Sequence, residues 1–280
     1  MRHIDKSLAK GLASQTLRQA DARGEHAQDV VITHMSKIGM SARHQIRTMR
    51  RILEHTGPGL VSHRFEFPGR HFQAVFEFWN LGKSSIVKKE FEEHGLTTQY
   101  MTVGVRARSE VISEWPADSC FYISLHALQR LIMRGGLDTT DAVLAEIRPA
   151  AILAPLVSEA FKTRYEARDE RLTLCLPAAL PTTNGLLTGV AVMTRNSVTD
   201  QIFLMVNCRS YLPAEGLDEI RRELRNRLLS LLDLAESRTM RSDEVKSWAP
   251  QVRRVFDDCG FRLRPREDPV IQRLLEGLAS

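Results

Sequence analysis

His126, Arg130 and Arg134 recur at four-residue intervals in the segment ISLHALQRLIMRGG. At about 100° per residue they fall within a sector of about 80°, while Leu125, Leu128, Leu131 and Ile132 take the opposite side. The pattern predicts a short helix whose basic face is presented to solvent. Ser124 precedes it and is a good N-cap, so His126 is expected in the first turn. There the helix dipole disfavours imidazolium, leaving a neutral ring able to take a proton. Arg130 and Arg134, one and two turns on, suit an anion: a guanidinium fork grips phosphate and stabilises charge developing on it. A base and two cations on one face are the means for proton abstraction beside a phosphate group.

Other motifs are weaker. Gly82-Lys83-Ser84 has the ending of a phosphate-binding loop, but the required glycine five residues before Gly82 is Glu77, whose carboxylate would repel the phosphate. Arg50 and His55 fit the R-x4-6-H spacing of HEPN ribonucleases. With 31 arginines and nine histidines in the chain, such a match is expected by chance. The segment MSKIGMSARHQIRTMRRIL is similar to a helix-turn-helix, with Gly39 in the turn and Ser41 as cap. Its second helix would carry Arg43, His44, Arg47, Arg50 and Arg51 toward a nucleic acid. Gln45 stands where that motif usually has an apolar residue, and Ile46 follows one position late.

The elements that must position these groups are legible from texture. Residues 1–57 read as a basic helical region, with apolar residues at helical spacing and a break at Gly57-Pro58-Gly59. LVSHRFEF, FQAVFEFWN and TQYMTVGV then read as a hairpin and a further strand. CFYIS is a short strand running directly into the His126 helix. Helices are expected over Asp138–Ile147 and 151–168. GLLTGVAVMT and QIFLMVNCRSYL read as two strands joined at Asn196–Asp200, followed by a long amphipathic helix over 214–235. A last helix is expected over 242–257, disturbed by Pro250. The predicted class is α+β: a helical N-terminal region 1–57, a body 58–236 with an antiparallel sheet packed by several helices, and a helical C-terminal extension 237–280.

Composition narrows the setting. The net charge is +5, from 39 basic and 34 acidic residues, and the surplus is concentrated in residues 1–56. Clustered positive charge suits a polyanion, since neutralising phosphates releases condensed counterions. Arginine outnumbers lysine 31 to 8, which favours forked contacts over plain solubility. Cys120, Cys175, Cys208 and Cys259 form no C-x-x-C pair and lack zinc spacing, so they read as reduced thiols. No metal or cofactor is expected. The N-terminal residues lack a signal-peptide core and no stretch is long and apolar enough for a membrane span, so cytoplasm is the expected location.

The segment from Ser124 to Arg134 resembles helix-borne His/Arg motifs of the form S-x-H-A-x-x-R-x-x-x-R in toxin-like proteins related to the RelE and barnase-like ribonucleases. Ser124, His126, Ala127, Arg130 and Arg134 match, and the resemblance spans about residues 119 to 212. It implies antiparallel strands after the helix and RNA cleavage without a metal, with His126 as base and Arg130 and Arg134 as phosphate ligands. A neutralising or regulatory protein partner would fit such an activity. Thr194, Arg195 and Arg209 are the strand residues nearest to the place of a last catalytic group, and Arg195 also joins the expected nucleic-acid contacts. Two alternatives stand beside this one: a non-enzymatic DNA-binding protein reading through residues 1–57, with the body as sensor or homo-oligomer interface, and a scaffold whose amphipathic helices pair with another protein.

Overall fold

Among the described residues a helix precedes the single turn at Gly57–Gly59 and the first strand begins at Leu60, in line with the change of texture. The computed structural model describes residues 4–35, 57–66, 74–88, 91–105, 111–114, 119–166, 176–195, 202–232 and 242–261, and every structural statement concerns these. The helix-turn-helix-like segment, with Arg43, His44, Arg47, Arg50 and Arg51, lies outside them, as does Cys175.

Helix α1 spans Lys6–Met35. Strands β1 (Leu60–Glu66), β2 (Ala74–Lys88) and β3 (Phe91–Val105) follow, β2 and β3 forming a long hairpin whose register runs from Ala74↔Val105 to Lys88↔Phe91. Gly82-Lys83-Ser84 sits within β2, not in a loop. Strand β4 (Val111–Glu114) and then β5 (Phe121–Ser124) pair with successive stretches of the same edge of β3. Helix α2 (Leu125–Gly135) follows β5 without a loop, and α3 (Thr140–Glu166) comes next. Then come β6 (Leu176–Pro181), β7 (Gly185–Arg195) and β8 (Ile202–Pro213), a single helical turn at Ala214–Gly216, α4 (Glu219–Ser230) and α5 (Ser242–Asp258).

The eight strands make one sheet in the order β1-β2-β3-β5-β8-β7-β6, with β4 beside β3. The class is α+β, as expected. One pairing departs from the antiparallel pattern: β5 and β8 run parallel, with Phe121↔Val206 and Ile123↔Cys208. Two helices and the β6–β7 hairpin intervene between them, which gives the crossover a parallel pair requires. All four residues of β5 are buried, as suits a central strand between two others.

Three expectations are corrected. The two helices predicted over 138–168 are one, α3, which runs through Pro149 and Pro155. A proline inside a helix removes a backbone hydrogen bond and strains the preceding turn. Here Ala150 to Leu153, Ala154, Leu156 and Val157 are all buried, and that apolar burial offsets the cost. Second, β6 was not foreseen, because Leu176-Pro177-Ala178-Ala179-Leu180-Pro181 lacks β-branched and aromatic residues; as an edge strand it tolerates its prolines. Third, α4 is shorter than the predicted helix over 214–235. Asp218 caps it by accepting from the Arg221 N–H at 2.9 Å, and Ile220 on its expected apolar stripe is 48% exposed.

Leu12 and Leu17 of α1, Leu128 and Leu131 of α2, Leu153 of α3, Val206 of β8 and Val252 of α5 belong to a common core. The three segments delineated in the sequence therefore share a hydrophobic interior. Leu224 and Leu228 of α4 join it, so that helix's apolar stripe serves the core and leaves the scaffold reading without support from it. Cys208 is fully buried, and burial pushes its thiol far above the usual range. No helix among the described residues is long and apolar enough to cross a membrane.

Candidate functional site

The β5–α2 junction has the geometry read from the sequence. Ser124 is the last residue of β5, has extended backbone angles, and its Oγ accepts a hydrogen bond from the Ala127 N–H at 3.2 Å. The cap starts the helix at Leu125 and places His126 in its first turn. Ala127, Leu128, Leu131 and Ile132 are buried, whereas His126 and Arg134 are exposed and Arg130 is half-buried. At the other end Gly136, with φ of 64°, returns its N–H to the Ile132 carbonyl. Replacing Ser124 by alanine is expected to cost about 1 kcal/mol in urea unfolding. A variant as stable as the parent would show that the cap contributes nothing.

The basic face is less open than the helical projection predicts. Strand β5 pairs with β8 only as far as Cys208 and ends at Ser124. Past that point α2 packs along β8. Arg130 donates from Nη1 to Ser210 Oγ at 2.9 Å, and Arg134 donates from Nη1 to the Tyr211 carbonyl at 2.6 Å. The two arginines thus tie the helix to the strand. Partial burial and the neighbouring Arg130 charge both lower the Arg134 guanidinium from its ordinary value. Two cations therefore stand near enough on this face for the charge of one to act on the other, and each is hydrogen-bonded to β8.

Strand β8 carries a bulge at that place. The register with β7 passes from Gly189↔Cys208 to Thr188↔Ser210, leaving Arg209 without an opposite residue. Glycine is required at 189, because a Cβ there would stand 2.0 Å from the Asn207 carbonyl oxygen. Arg209 is 5% exposed and forms an ion pair with Glu93 of β3, reaching across the intervening β5. The Tyr122 hydroxyl of β5 donates to the Glu93 carbonyl at 2.8 Å, and burial, the first cause, with the Glu93 charge raises that phenol well above its usual range. Arg209 is therefore a buried structural cation, which removes it as a last catalytic group on the surface. Thr194 and Arg195 are at the opposite end of the β7–β8 hairpin: Arg195 pairs with Ile202, about 25 Å along the strand from Ser210. The fold does not bring Arg195 to the His126 helix.

Sequence reasoning missed a second polar centre, where α3 and the β6–β7 turn meet Tyr211 of the same strand. Glu146 of α3, 3% exposed, accepts from the Thr182 hydroxyl at 2.6 Å and from the Asn184 N–H at 2.7 Å, and its second oxygen accepts from Asn184 Nδ2 at 2.9 Å. The Tyr211 hydroxyl approaches the carboxylate at 3.5 Å and donates to the Asn184 carbonyl at 3.3 Å. Arg225 of α4 grips the same β6–β7 turn, donating to the Gly185 carbonyl at 3.0 Å and to that of Thr183. The signal available in the sequence was a glutamate on the apolar face of a predicted helix, beside Val143 and Ile147.

Among the described residues no three His, Cys, Asp or Glu side chains stand together as a metal site. Comparison of the chain with models of protein families, with curated proteins and with solved structures found no match.

Proposed function

We propose that this chain acts on nucleic acid and cleaves RNA without a metal at the exposed face of α2. The observation that carries the reading is one N-capped helix holding an exposed histidine in its first turn, with two arginines along the same face fixed against β8. His126 takes the proton from a ribose 2′-hydroxyl as that oxygen bonds to phosphorus. The bond from phosphorus to the 5′-oxygen breaks, and the departing oxygen takes a proton from solvent. Arg130 and Arg134 hold the phosphate and stabilise the negative charge that builds on it. The resemblance of the segment from Ser124 to Arg134 to helix-borne motifs of RelE and barnase-like ribonucleases supports the same assignment.

The chemistry requires a 2′-hydroxyl. A single-stranded RNA oligonucleotide should be cut to fragments ending in a 2′,3′-cyclic phosphate, while the same sequence in 2′-deoxy form should remain intact. Equal cutting of both oligonucleotides would overturn the mechanism. Binding of both without cutting would instead favour the non-enzymatic reading.

A further inference from the structure

We infer that Ser210 is a positioning residue for the phosphate-gripping arginines, brought to Arg130 by the bulge at Arg209. The inference rests on the α2 face being the site proposed above.

Along β8 the residues Leu204, Val206 and Cys208 alternate into the core. Uninterrupted alternation would send Ser210 inward next and turn Tyr211 away. The extra residue changes this. Tyr211 is fully buried in the core instead, and the Ser210 hydroxyl meets Arg130. The Tyr211 carbonyl meets Arg134. One backbone irregularity thus serves both arginines.

The bulge is fixed from three sides. Gly189 opposite it leaves no room for a side chain, Arg209 is locked to Glu93, and the Tyr211 hydroxyl is bonded to the Asn184 carbonyl. A guanidinium is planar, and a bond from one nitrogen to a fixed acceptor sets the direction of the whole fork. Arg134 loses affinity for its proton partly because Arg130 is beside it. An arrangement that holds like charges together is relieved when an anion arrives between them. Ser210 and the Tyr211 carbonyl therefore preorganise the pair for a phosphate.

The test compares Ser210→Ala and Ser210→Thr with the parent protein on a single-stranded RNA oligonucleotide, measuring kcat, KM, the salt dependence of binding and the melting temperature. Ser210→Ala should lower kcat/KM about tenfold, because misdirecting a gripping group by a fraction of an ångström is costly. The slope of log affinity against log salt should become shallower by about 0.7, the loss of one phosphate contact to a single strand. Ser210→Thr, which keeps the hydroxyl, should stay within about threefold of the parent. A merely structural hydroxyl would shift the melting temperature and leave slope and kcat/KM unchanged; that result overturns the inference while the RNA reading stands. If the parent protein itself neither binds nor cuts RNA, the reading beneath the inference fails, and the inference with it.

Discussion

Replacing Glu146 by alanine is expected to destabilise the protein by about 3 kcal/mol in urea unfolding. The carboxylate is buried and receives hydrogen bonds from the Thr182 hydroxyl, the Asn184 N–H and the Asn184 side chain. Thr182 is itself fully buried, so truncation leaves its hydroxyl without that acceptor in a place with little access to water. The loss also spreads. Glu146 joins α3 to the β6–β7 turn, and the same turn meets Tyr211 of β8, next to the bulge. Glu146→Gln keeps an acceptor oxygen for Thr182 and should lose only about 1 kcal/mol. An alanine variant destabilised by less than about 1 kcal/mol would show that the clamp is redundant with Arg225.

His126→Ala carries the largest expected effect on activity. Removing a positioned base typically costs about 10²–10⁴-fold in rate. The side chain is exposed in the first turn, so its loss should leave the fold and its melting temperature nearly unchanged. RNA affinity should change little, since the charge that grips phosphate resides on Arg130 and Arg134. Binding with cleavage lost is therefore the predicted signature, and equal loss of both would argue that His126 is only a contact residue. Arg130→Ala should behave differently, lowering affinity and rate together.

The parts of the fold written in local pattern were legible. Ser124 followed by apolar residues at helical spacing fixed the start and buried face of α2, and the β-branched and aromatic runs marked β1, the first half of β2, the second half of β3, β7 and β8, while the polar stretch that closes the β2–β3 hairpin carried no such run. What depends on distant partners was not. Nothing local tells that β5 and β8 lie side by side in parallel, or that Arg209 meets Glu93, 116 residues away. The two helices expected over 138–147 and 151–168 leave out Pro149, which local propensity disfavours inside a helix, whereas the burial that overrides it belongs to the packed molecule. The site shows the same division. The helical projection put His126, Arg130 and Arg134 on one face, and that holds. It treated the face as freely solvated, however, and the attachment of both arginines to β8 arises from a bulge with no clear mark in the sequence beyond Gly189.

The most direct test of His126 as a base is the rate of RNA cleavage in excess chelator by the parent protein and by His126→Ala, the latter with and without added imidazole. The parent should cut RNA in the chelator, His126→Ala should bind RNA but cut it at least about a hundredfold more slowly, and imidazole should restore part of the lost rate. Cleavage by His126→Ala at the parental rate would contradict the account.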